Sequence, residues 1–118
     1  MTEKLDQAID AANFLINLSN LKDNIHLKML TQLQYSYQGG IFHIDRELIT
    51  FVKIILDSKR STLVLLDQNN NPIEIVNIQE FYDEIVDRYF QATNFYHSEY
   101  TKLQEMRSSI DILSFFKD

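Results

Sequence analysis

Asp67, Asn69 and Asn71 alternate along the polar run Asp67-Gln68-Asn69-Asn70-Asn71. Oxygen ligands at the first, third and fifth positions are what a calcium loop presents. Such a loop also needs glycine at its sixth position and a bidentate glutamate at its twelfth. Pro72 and Ile78 stand there instead, so the run reads as a polar hairpin turn. His26, His43 and His97 lie on separate segments, and none has a second ligand at a metal spacing such as His-x-x-x-His. No nucleophile elbow or activated thiol is present. Gly39-Gly40, the only glycines, follow a helical segment rather than a strand and make no phosphate loop. Glu80, Asp83 and Glu84 fall on the outward face of a helix, where solvation accounts for them. The expectation is a non-enzymatic chain without cofactor or metal.

The six tyrosines carry more information. Tyr82, Tyr89 and Tyr96 recur every seven residues, with Tyr100 one turn on. Tyrosine joins a large apolar body to a polar tip, which suits core rims and protein interfaces. Base stacking would need positive charge nearby, and Asp83, Glu84, Asp87 and Glu99 supply the opposite.

Charge supports the same view. The 118 residues carry a net charge of −6, and the eleven Lys and Arg are scattered, so direct nucleic-acid binding is disfavoured. Hydrophobic residues make up 45% of the chain, enough for a core. No apolar run approaches the roughly 20 residues a membrane span needs. Acidic residues near the N-terminus and the lack of cysteine fit a cytoplasmic protein.

The elements that position these residues centre on Ile78–Leu113. Its apolar positions Ile78, Tyr82, Ile85, Tyr89, Ala92 and Tyr96, then Leu103, Met106, Ile110 and Leu113, alternate steps of four and three, a heptad seam broken at Glu99. A helix of that length spans about 50 Å, whereas a compact chain of this size has a radius of gyration of about 13–14 Å. One domain is expected over residues 1–118, with 101–118 free to project as a helical tail.

Upstream, Leu5, Ile9, Ala12 and Ile16, widened by Ala8, Phe14 and Leu15, predict a helix over 3–21. Ser19–Asn24 predicts a break, and a second helix over 25–37 carries Ile25, Met29, Leu30, Leu33 and Tyr37. The two form a helical hairpin, with Leu5–Leu18 facing Ile25–Leu33, and Gly39-Gly40 stop the second. Ile41–Ile44 reads as extended. Asp45 caps a third helix, Arg46–Asp57. Thr62–Asp67 and Ile73–Val76 form an antiparallel hairpin, with Ile41–Ile44 as its third strand or a helix covering it. Asn77 caps the long helix, with Glu80 at the capping-box position. The class is α+β.

In the tail, Ile112 is followed three and four positions on by Phe115 and Phe116. Residues 109–116 resemble sliding-clamp-binding peptides, whose aliphatic residue and aromatic pair enter one apolar pocket, and similar tails close T-even-like phage replication and late-transcription proteins. The usual leading glutamine falls at Ser109, so one anchor is missing. More broadly, Gly39-Gly40-Ile41-Phe42, the Leu66-Asp67…Asn71-Pro72-Ile73 hairpin and the tyrosine-rich helix resemble small accessory proteins of T-even-like tailed phages, a likeness that assigns no role.

Three functions are compatible with these features. The first is an interaction or assembly protein, oligomerising with itself or docking on a larger assembly through Tyr89, Tyr96, Tyr100, Leu103, Met106, Ile110 and Leu113. The second is an accessory factor docking on a replication or transcription clamp through Ile112, Phe115 and Phe116. The third is a small-molecule binder or enzyme with a pocket lined by Tyr35, Tyr37 and Tyr82.

Overall fold

The computed structural model describes the backbone of residues 2–116 and the side chains of residues 2–108. The elements run α1 (Thr2–Gln32), β1 (Gln34–Tyr37), β2 (Gly40–His43), α2 (Arg46–Asp57), β3 (Leu63–Leu66), β4 (Pro72–Ile75) and α3 (Ile78–Phe116). The class is α+β. The chain divides into two compact units, Met29–Asn94 and the pair Met1–Lys28 with Phe95–Asp118.

Three local expectations are corrected. The helix does not break at Ser19–Asn24; α1 is continuous for 31 residues. That segment holds no glycine or proline, and polar residues lower helix propensity by only about 0.5 kcal/mol each. Leu18 and Ile25, seven residues apart and both buried, hold the two sides on one helical face. The second correction concerns residues 34–37, which are strand β1, not helix. The Leu33 N–H still bonds back to Met29 O and Leu30 O, but the Leu33 carbonyl accepts from Ile44 N at 2.7 Å. The turn uses Gln38 at φ 49° and Gly39 at φ 80°, the doubly left-handed geometry of a two-residue hairpin. Gly39 therefore turns a hairpin rather than stopping a helix. Third, β2 is not a third strand beside β3 and β4. It pairs antiparallel with β1, Tyr35 opposite Phe42, while β3 pairs with β4, Leu65 opposite Ile73. The described residues thus hold two separate two-stranded sheets.

A two-stranded sheet is marginal alone, and here the two are tied together. Asp67 is a buried carboxylate at the start of the β3–β4 turn. Its Oδ1 accepts from Asn69 N at 3.0 Å and Asn71 N at 2.9 Å, closing its own turn. Its Oδ2 accepts from Ile41 N on β2 at 3.0 Å. The Ile41 carbonyl in turn accepts from Gln68 N at 2.9 Å. Those three backbone donors hold the Asp67 carboxyl below the usual aspartate range, against the opposing pull of burial. Close approach at this junction requires Gly40. A Cβ there would lie 2.7 Å from Ile73 Cγ1.

Pro72 fits its strand because it stands opposite Leu66. Asp67 N bonds to Asn71 O one step away, so by alternation the position of Pro72 directs its missing N–H away from β3.

The core of the 29–94 unit gathers Phe42, Ile44, Val52, Ile75, Phe81 and Ile85, each at most 2% exposed. Phe81 is ringed by Tyr35, Tyr37 and Phe42, with centroids at 5.7, 5.2 and 5.4 Å. Two N-cap side chains expected from the sequence are seen. Asp45 Oδ1 accepts from Leu48 N at 2.7 Å, and Asn77 Oδ1 accepts from Glu80 N at 3.0 Å. Asp45→Ala should therefore lower the unfolding free energy by about 1 kcal/mol, measurable by urea titration. At the far end of α2, Lys59 takes the left-handed conformation, φ 59°, and its N–H bonds Leu56 O at 3.0 Å.

Candidate interaction surface

In the other unit, residues of α1 pair with the distal part of α3. His26 meets Tyr96 edge to face at 5.9 Å, and the Lys22 ammonium sits 5.6 Å from the Tyr100 ring centre. Leu15 and Arg107 line one groove. Partners on α3 rise in number as those on α1 fall, so the pairing is antiparallel. Tyr96 and Tyr100 stack at 5.9 Å with 14° between planes. Glu99, the break in the seam, forms an ion pair with Lys102 at 3.1 Å, a partly wet contact of small energetic weight.

The groove between these segments has a volume of about 380 Å³. Leu15, Leu18 and Leu103 make its apolar walls, with Tyr100, Lys22 and Arg107 at the polar positions.

The expected interface residues thus separate. Tyr96, Tyr100 and Leu103 belong to the α1-facing side of α3 and are half-buried. Tyr89 packs against the core of the 29–94 unit. Met106 is 41% exposed. The side chains of Ile110, Ile112, Leu113, Phe115 and Phe116 lie outside the described residues. Tyr35 and Tyr37 close on Phe81, Tyr37 also accepting from Val76 N at 3.1 Å, and Tyr82 lies 5.7 Å beneath the Lys53 ammonium. Burial, reinforced by Glu84, raises the Tyr35 phenol above its ordinary range, while Arg88, 4.6 Å from its ring centre, opposes that. Of the outward carboxylates, Asp83 accepts from Gln79 Nε2 at 2.9 Å and Glu84 from Arg88 Nε at 2.7 Å. Among the described residues, no three His, Asp or Glu side chains gather to hold a metal, and no helix is long and apolar enough to cross a membrane.

The stripe Leu5, Ile9, Ala12 and Ile16 does not face Ile25–Leu33 as the sequence pattern predicts. In the structure it faces out, with Leu5 61%, Ile9 49% and Ile16 57% exposed. At 3.6 residues per turn the four positions span about 60° of arc, roughly 160° from the buried Leu18 and Ile25. α1 therefore has two apolar faces, and α3 covers one of them.

A second exposed apolar area lies in the 29–94 unit. β3 turns Val64 and Leu66 outward, and α2 turns out Phe51 and Ile54. Leu66 and Phe51 share a shallow hollow with Phe42, His43 and Leu48. All four β3 residues, Leu63–Leu66, are apolar, so both faces of the strand are apolar and the outward one shows no polar signature in the sequence. Comparison with known protein families, with curated proteins and with solved structures found no match to this chain.

Proposed function

We propose that this protein is a non-enzymatic assembly protein that associates with itself through its helical unit. The two-sided apolar character of α1 carries this reading. A helix exposed to water on one side shows a single apolar stripe, and one that is apolar on opposite faces belongs between two neighbours. Isolated exposed apolar residues are ordinary, but a contiguous row is a docking signal. Full burial of a Leu or Ile side chain contributes about 1.5–3 kcal/mol, so covering these half-exposed ones adds roughly 1 kcal/mol each. Self-association, which the sequence places on α3, moves to α1 in this reading because α1 already lies against Tyr96 and Tyr100.

The test is the solution mass of the full chain by light scattering at two concentrations. A dimer or larger species is expected. Ile9→Asp combined with Ile16→Asp should weaken it about a thousandfold, from four lost contacts of roughly 1 kcal/mol in a symmetric pair. Far-UV circular dichroism should be unchanged, because both positions face solvent in the single chain. A parent chain that stays monomeric at high micromolar concentration would refute the proposal.

A further inference from the structure

The geometry points to an antiparallel pairing of the α1 stripe with the same stripe of a second copy, about a two-fold axis between Ile9 and Ala12. This deepens the self-association reading and rests on it. The spacing of the stripe suits such a pair. Leu5, Ile9, Ala12 and Ile16 are separated by steps of four, three and four, a sequence that reads the same in both directions. With two copies antiparallel, Leu5 meets the partner's Ile16, and Ile9 meets the partner's Ala12. A two-fold interface must be self-complementary in this way. Large meets large at the ends and large meets small at the axis, so the helices approach most closely at the centre.

The flanks agree. Asp6 and Asn13 border the stripe on one side, Ala8 and Leu15 on the other, all exposed. In an antiparallel helix pair each flank faces its own kind. Asp6 then lies beside the partner's Asn13, an amide donor for its carboxylate, and Ala8 beside the partner's Leu15. A parallel pair would instead set Ala8 against the partner's Asn13 and Leu15 against the partner's Asn20, covering amides with hydrocarbon. The chain carries a net charge of −6, so two copies repel at most surfaces. The stripe and these flanking positions hold a single charge, Asp6, so two copies meet on this face with little charge repulsion.

The chain contains no cysteine, so introduced thiols report without background. Leu5→Cys and Ile16→Cys are made in separate full-length chains of distinguishable mass, mixed, and oxidised gently. The mixture is expected to form the disulfide-linked heterodimer at least about tenfold faster than either variant alone links to itself, since only facing positions bring Cβ atoms within bonding reach. Self-linking of each variant would mean a parallel pair and would overturn the proposal. An assembled chain that forms neither link would place the contact elsewhere, on α3 for example; that result overturns this pairing and leaves self-association standing. A parent chain that light scattering shows to be monomeric overturns both.

Discussion

Phe81→Ala is expected to lower the unfolding free energy by about 3–5 kcal/mol, against a total of about 5–15 kcal/mol for a chain of ordinary stability. Phe81 is 1% exposed and lies on the first turn of α3, so it fastens that helix to β1 and β2. Its ring touches Tyr35, Tyr37 and Phe42 at centroid distances of 5.7, 5.2 and 5.4 Å. Truncation removes the transfer term, leaves a cavity and deletes edge contacts to two of those rings, each contributing about 0.5–1.5 kcal/mol. The surroundings relax into such a space only in part. Tyr37 is held through its hydroxyl to Val76 N, and Phe42 by its strand pairing with Tyr35. A urea titration followed by circular dichroism measures the loss. Phe90→Ala on the same helix, where Phe90 is 59% exposed, is the control and should change stability by about 0.5 kcal/mol or less.

Asp67→Asn should give the second largest loss, and its signature is in the pH dependence. The amide keeps one carbonyl oxygen for Asn69 and Asn71. It places an N–H₂ group where Oδ2 now accepts from Ile41 N, so two donors face each other and the tie between the hairpins is cut. Because the folded carboxyl is held below its unfolded value, the folded state binds fewer protons than the unfolded one at mildly acid pH. The stabilisation is complete above the unfolded value of about 3.9 and disappears as pH falls through the lower folded value. The parent chain should therefore weaken on acidification below about pH 4, and Asp67→Asn should start weaker at neutral pH and lose less over that interval. Equal acid slopes in the two chains would show that Asp67 is not the group responsible.

The parts of this fold that are legible in sequence are those with local causes. α2 is bounded by Asp45 and the α3 start by Asn77 because a cap needs only its own side chain and an amide three residues on. The β3–β4 hairpin is legible because Pro72 and the polar run punctuate it. β1 was hidden by a helical pattern ending in Tyr37, although Leu33, Tyr35 and Tyr37 also alternate with period two and the following Gln38-Gly39 suits a tight hairpin. Local periodicity did not decide between those readings; the bond from Ile44 N to Leu33 O did. The unbroken α1 was missed because the weak polar segment is overruled by Leu18 and Ile25 on either side of it. The candidate surface was half legible. The stripe from Leu5 to Ile16 can be read from the sequence, but a helix with two apolar faces does not announce which one its own chain will cover.

The order of the two units along the chain bears on how the protein is made. The helical unit is discontinuous, its halves lying on either side of Met29–Asn94. Joining them directly would close a loop through that whole segment, an entropic charge of roughly 4 kcal/mol before any contact is gained. The intervening unit is contiguous and starts from two short hairpins, whose closure is fast. Its own core includes Ala92 and packs against Met29, so its folding closes that loop in advance. During synthesis α1 therefore emerges well before α3 and waits for it while Met29–Asn94 is made. Through that interval both of its apolar faces are open, and neighbouring nascent chains on one polysome present the same helix to each other before α3 has been made.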